Sequence, residues 1–116
     1  MSTCICNPMW AKWVSPVERL IIGHTIKTIL ENPRYRISVY DGEEVALFSS
    51  IDAEQIIPEV AATDQTWLNI HDQEGVMVGW IRFIHGNDRD VLSDHSANPE
   101  TGSIVGAVEK LMESFE

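Results

Sequence analysis

Two stretches alternate in a way that commits the chain to antiparallel strands. In "RISVYDGEEVALFS", residues 36–49, Ile37 and Val39 alternate with Ser38 and Tyr40, and Val45 and Leu47 alternate with Ala46 and Phe48. Successive strand side chains point to opposite faces, so one face of this segment belongs to a core. Asp41-Gly42 between the runs is the strongest short hairpin signal, because both central residues of a type I′ turn need positive φ. "QTWLNIHDQEGVMVGWIRFIHG", residues 65–86, repeats the plan, with strands near Thr66 to His71 and Met77 to Ile84 and a turn at Gln73 to Gly75. Its second strand is nearly all apolar, the pattern of a strand buried on both faces. Gly79 inside it marks a bulge or a close approach.

Helix signals flank the hairpins. In "SPVE", Ser15 caps, Pro16 fits the first helical position and Glu18 closes a capping box, predicting a helix to about Leu30, where Asn32-Pro33 stops it. Val17, Leu20, Ile21 and His24 share one face, widened by Ile22, Ile26, Ile29 and Leu30. Asp52 caps a short second helix, with Ile51 and Ile56 as a staple and Pro58 as a kink or restart. A last amphipathic helix starts at Pro99 or Ser103 and buries Ile104, Val108, Leu111 and Phe115. The expected fold is α+β: two antiparallel hairpins in a roughly four-stranded sheet, helices on one face, order α-ββ-α-ββ-α. Residues 1–14, with Trp10 and Trp13, read as an arm, and 15–116 as a single domain.

Charge narrows the partners. Met1 to Arg36 carries five Lys/Arg against two Glu, a balance of +3, whereas Ile37 to Glu116 carries three Lys/Arg against sixteen Asp/Glu, a balance of −13. Such a body repels nucleic acid and anionic membrane, and suits a basic protein surface, including one that normally holds DNA or RNA. Cys4 and Cys6 are too close for an unstrained disulfide and too few for a metal site, so they read as free thiols in a cytoplasmic protein. No run of apolar residues is long enough to cross a bilayer.

"FIHGNDRDVLSDHS", residues 83–96, is the stretch richest in potential chemistry. His85, Asp88, Asp90 and His95 offer nitrogen and oxygen ligands to a first-row metal, but their spacing fits neither the zinc-protease helix nor the calcium loop. As structure, Gly86-Asn87 is a natural strand exit, Asp88, Asp90 and Asp94 satisfy turn N–H groups, and Val91 and Leu92 anchor the loop. There is no nucleophile elbow, no Cys-His pairing and no phosphate loop, so nothing supports an enzyme or a bound cofactor. Trp67 and Trp80 read as core.

"ISVYDGEEVALF" followed by "GWIRFIHGNDRDVLSDHSANPE" resembles small uncharacterised proteins of phages, prophages and bacterial mobile elements, over roughly residues 36–98. Gly79, Trp80, His85, Gly86, Asn87, Asp88, Asp90, Val91, Asp94 and Asn98 carry the "GW…HGND.DV..D…N" pattern. The resemblance implies a context rather than an activity, and makes the Gly-Asn-Asp turn part of a fold signature. The leading expectation is a non-enzymatic accessory protein that binds a host protein, such as an inhibitor of a defence or nucleic-acid-binding complex of anti-CRISPR or anti-restriction type. Its contacts would be Asp41, Glu43, Glu44, Asp88, Asp90 and Asp94, on loops carried by a rigid sheet. The alternatives are a metal-binding protein or metal enzyme using His85, Asp88, Asp90 and His95, and a homo-oligomer joined through Trp10 and Trp13.

Overall fold

A computed structural model describes residues 15–63, 65–85 and 91–113. The elements run α1 (Pro16–Leu30), β1 (Arg36–Tyr40), β2 (Val45–Ser50), α2 (Ala53–Val60), β3 (Gln65–His71), β4 (Met77–Ile84), β5 (Leu92–His95) and α3 (Pro99–Glu113). The strands form one antiparallel five-stranded sheet in the order β2-β1-β3-β4-β5. The class is α+β, with one strand more than the four expected. The segment expected to be an acidic loop supplies it: Leu92–His95 pairs with β4 along Ile81 to Phe83. A four-residue edge strand reading Leu-Ser-Asp-His, bonded on one side only, needs no apolar alternation, and so it leaves little trace in sequence.

All three helices lie on one face. Ile21, Ile22, Ile26 and Ile29 of α1, Ile56 and Val60 of α2, and Ile104, Val105 and Val108 of α3 close over Ile37, Val39, Leu68, Ile70, Ile81 and Phe83 of the sheet. Removing each such side chain from water contributes about 1.5–3 kcal/mol. The α1 stripe is rotated from the expected one. Glu18 and Thr25 turn inward with the isoleucines, whereas Leu20 is exposed. The capping box forms: Glu18 N–H donates to Ser15 Oγ at 3.2 Å, and Ser15 N–H to Glu18 Oε1 at 3.3 Å. Asp52 caps α2, and Pro58 is carried within the helix without ending it. Phe115 lies outside the described residues.

The strand β4 is buried on one face only. Gly79, Ile81 and Phe83 turn inward, while Val78, Trp80, Arg82 and Ile84 are half-buried on the other side. Gly79 is a close approach: a Cβ there would meet the Thr101 hydroxyl head-on and lie 2.7 Å from Ser96 Oγ. Around it α3 is tied to the sheet. Ser96 Oγ accepts the Trp80 N–H at 3.0 Å and donates to Asn98 Oδ1 at 2.6 Å, and Asn98 Nδ2 donates to Val78 O at 2.8 Å. Gly79 and Trp80 thus meet Asn98, distant in sequence, at one junction. Among the described residues, no helix is long and apolar enough to cross a membrane.

Candidate functional site

The helices leave the other face of the sheet uncovered by any described element. Residues directly opposite each other on paired strands share a face. The register therefore lays out one row across four strands: Tyr40, Trp67, Arg82 and Asp94. A second row holds Ser38, Asn69 and Trp80, and a third holds Arg36, His71 and Met77. The Tyr40 and Trp67 rings lie 5.5 Å apart and tilted by 57°, a favourable aromatic arrangement. Trp67 and Trp80 are thus not core residues; they stand half-buried on this outer face. The signal was present in sequence, since both tryptophans sit out of phase with the buried Leu68, Ile70, Ile81 and Phe83.

At the β2 end, Phe48 is 76% exposed and its ring stacks on His71 at 5.9 Å. Beneath it, Ser38 Oγ accepts the Ser49 N–H at 2.9 Å and lies 2.9 Å from His71 Nε2. His71 Nδ1 lies 3.3 Å from the Asp72 carbonyl. A carbonyl can only accept, so Nδ1 carries the hydrogen and Nε2 accepts from the Ser38 hydroxyl. A serine hydroxyl on an imidazole has the spacing of a nucleophile and its base. Here both groups are buried and the hydroxyl is already engaged, so the pair works as a strut that holds the Ser49 turn, where φ is +57°.

The acidic residues stand at the ends of the aromatic row. Asp41, Gly42, Glu43 and Glu44 form the loop between β1 and β2, longer than the two-residue turn expected, and only Gly42 takes positive φ. Asp41 N–H donates to Glu44 O at 3.1 Å, and Asp41 Oδ1 accepts the N–H groups of Glu43 and Glu44, each at 2.9 Å. The Glu44 N–H, then the Glu43 N–H, hold the Asp41 carboxyl below its usual pKa. The sign follows: loop stabilisation by Asp41 is complete above the ordinary aspartate range and fades as pH falls through the lowered value. In an NMR titration the Asp41 carboxyl should therefore protonate below the ordinary aspartate range; a midpoint at the ordinary value would contradict the loop geometry. Glu43 and Glu44 project into solvent beside it. Asp94 flanks the same row from β5, exposed, about 14 Å away at three strand spacings.

Of the other expected site residues, His85 and His95 are described and are not brought together. Asp88, Asp90, Trp10 and Trp13 lie outside the described residues. His85 points away from solvent, its side chain 1% exposed, between α1 and α2. Its Nε2–H donates to Val60 O at 2.8 Å, and its Nδ1 is 4.0 Å from Glu18 Oε1. His95 sits opposite Ile81, four residues back along β4, which puts it about 13 Å from His85 at strand rise. Among the described residues, no three His, Cys, Asp or Glu side chains are close enough to hold one metal ion. A cleft of about 270 Å³, lined by Arg34, Tyr35, Asp72, Gln73, Glu74 and Val78, opens beside the β3–β4 turn. It is smaller than the usual range of small-molecule sites.

Compared with models of protein families, with curated proteins and with solved structures, the chain finds no match.

Proposed function

We propose that this chain is a protein-binding accessory module of phage or prophage type, acting without chemistry of its own. It covers a basic surface of a host protein, one that otherwise holds nucleic acid. The observation that carries this reading is the outer sheet face, with its aromatic row of Tyr40 and Trp67 set between the Asp41–Glu44 loop and Asp94. Aromatic side chains with few rotatable bonds anchor protein interfaces at low entropic cost, and a fixed acidic rim steers a cationic partner and sets its register. The phage context rests on the sequence resemblance alone, and the choice of a nucleic-acid-binding target on charge.

The test is charge reversal on the rim. A variant carrying Glu43→Lys, Glu44→Lys and Asp94→Lys should melt cooperatively, since all three side chains are exposed, and Asp41 is kept because its carboxylate holds the loop. Wild-type protein immobilised in bacterial lysate at about 50 mM salt should retain a protein that DNA or RNA competes off, and release it near 500 mM, where screening shortens to a few ångströms. The variant should retain at least tenfold less. Equal retention by the folded variant would remove the acidic rim from the function.

A further inference from the structure

We infer that the outer edge of β2 is a strand-addition site, which takes an extended peptide segment with basic residues at both ends. The inference rests on the protein-binding reading and names the form of the partner.

Among the described residues, no strand pairs with the outer side of β2. Val45–Ser50 is the terminal strand of the sheet, hydrogen-bonded to β1 on one side. Its sequence, Val-Ala-Leu-Phe-Ser-Ser, contains no lysine, no other charge and no proline, the usual means of blunting an edge. Val45 and Phe48 are 52% and 76% exposed, and Ile51 just beyond is 61% exposed. Ser49 turns its N–H inward to Ser38, and the β1–β2 register slips by one residue at Ala46 and again between Leu47 and Ser50, so the edge is bulged and a partner strand must follow its twist. A partner strand would gain ladder hydrogen bonds there and set alternate side chains against Phe48, which is continuous with the aromatic face through His71.

Charge selects the occupant. Glu43 and Glu44 precede the strand and Asp52 and Glu54 follow it, all exposed. An extended segment running the length of β2 therefore meets carboxylates at both ends. A second copy is the poorer fit. Antiparallel self-pairing centred between Leu47 and Phe48 would set Glu43 of each copy against Asp52 of the other, at both ends, between chains of net charge −10. A basic-flanked apolar strand turns each of those repulsions into an attraction.

The experiment uses the full chain and three synthetic peptides. The parent is Lys-Lys-Val-Thr-Val-Thr-Lys-Lys; the second is the same peptide N-methylated at alternate residues; the third replaces its lysines with glutamate. Binding is read by calorimetry, and its location by ¹⁵N–¹H spectra and amide exchange. The parent should bind and slow exchange at β2 amides between Val45 and Phe48. N-methylation should weaken it at least tenfold, because it removes ladder donors while keeping charge and side chains. The glutamate peptide, and the parent against Glu43→Lys/Glu44→Lys, should each bind at least tenfold more weakly. Undiminished binding of the N-methylated peptide, or shifts mapping away from β2, would overturn strand addition and leave the acidic-rim reading standing. No binding by any peptide, with rim-dependent capture intact, would do the same. A dimer in light scattering with β2 amides protected before peptide is added would make the occupant a second copy and overturn the proposal. Loss of rim dependence in lysate capture would instead remove the function on which the proposal rests.

Discussion

Gly79→Ala should cost about 3 kcal/mol, lowering the melting temperature by roughly 10 °C in a chain of this size. The added methyl would collide with the Thr101 hydroxyl and crowd Ser96 Oγ at 2.7 Å and Asn98 Oδ1 at 3.1 Å. None of these can retreat cheaply. Thr101 is β-branched and fully buried, and Ser96 Oγ is held by the Trp80 N–H and by Asn98. Relief requires α3 to lift from β4, which opens the packing of Ile104, Val105 and Val108. Thermal or urea unfolding measures the loss directly. In a Thr101→Ala background the penalty should shrink, because two neighbours that share a clash are not additive. If Gly79→Ala melts within about 2 °C of wild type, the close contact of α3 with β4 is wrong.

The second large effect is expected at His85. Its replacement by alanine should cost about 2–4 kcal/mol, through a lost buried hydrogen bond and the cavity it leaves. The Val60 carbonyl is at the C-terminal end of α2, where backbone acceptors lack helical partners. His85 Nε2–H satisfies it at 2.8 Å, and the Thr66 hydroxyl adds a longer bond of 3.4 Å. Without the imidazole, the carbonyl keeps only the weaker bond. Glu18, itself fully buried, then faces a void in place of a ring 4.0 Å away. His85→Asn should recover part of the loss if its amide reaches Val60, and His85→Leu should recover the volume without the bond. Far-UV and near-UV spectra distinguish a weakened native state from a rearranged one. A His85→Ala protein as stable as wild type would mean that the ring is not the cap of α2.

This role for His85 illustrates what the sequence could and could not convey. Local rules did well where one short segment decides the outcome. The Ser15–Glu18 capping box, the Asp52 cap and the Met77–Ile84 strand follow from neighbours in the chain. Face assignment was harder. Trp67 and Trp80 were apolar enough for a core, although their alternation with Leu68, Ile70, Ile81 and Phe83 already carried the outward phase that the pairing of β3 with β1 and β4 shows. β5 escaped notice because an edge strand borrows its geometry from β4. The candidate site was half legible. Charge marked Asp41, Glu43, Glu44 and Asp94, but not the aromatic row between them, which comes from two different strands. Histidines 85 and 95 were adjacent in composition and separate in space, because a strand carries a side chain about 3.3 Å per residue while a bulge rotates its partner.

The pairing order also fixes how the chain must assemble. β1 with β2, β3 with β4, and β4 with β5 are each joined by short connections and can zip locally. The pairing of β1 with β3 is different, since it encloses all of β2 and α2 between Tyr40 and Trp67. Closing that span costs more chain entropy than any hairpin, and the gain comes only after Val39 meets Leu68 and Ile37 meets Ile70. The molecule is therefore two locally wound halves sewn along one seam. The short helix α2, packed against β1, β2, β3 and α1, is the clasp that makes the seam worth closing.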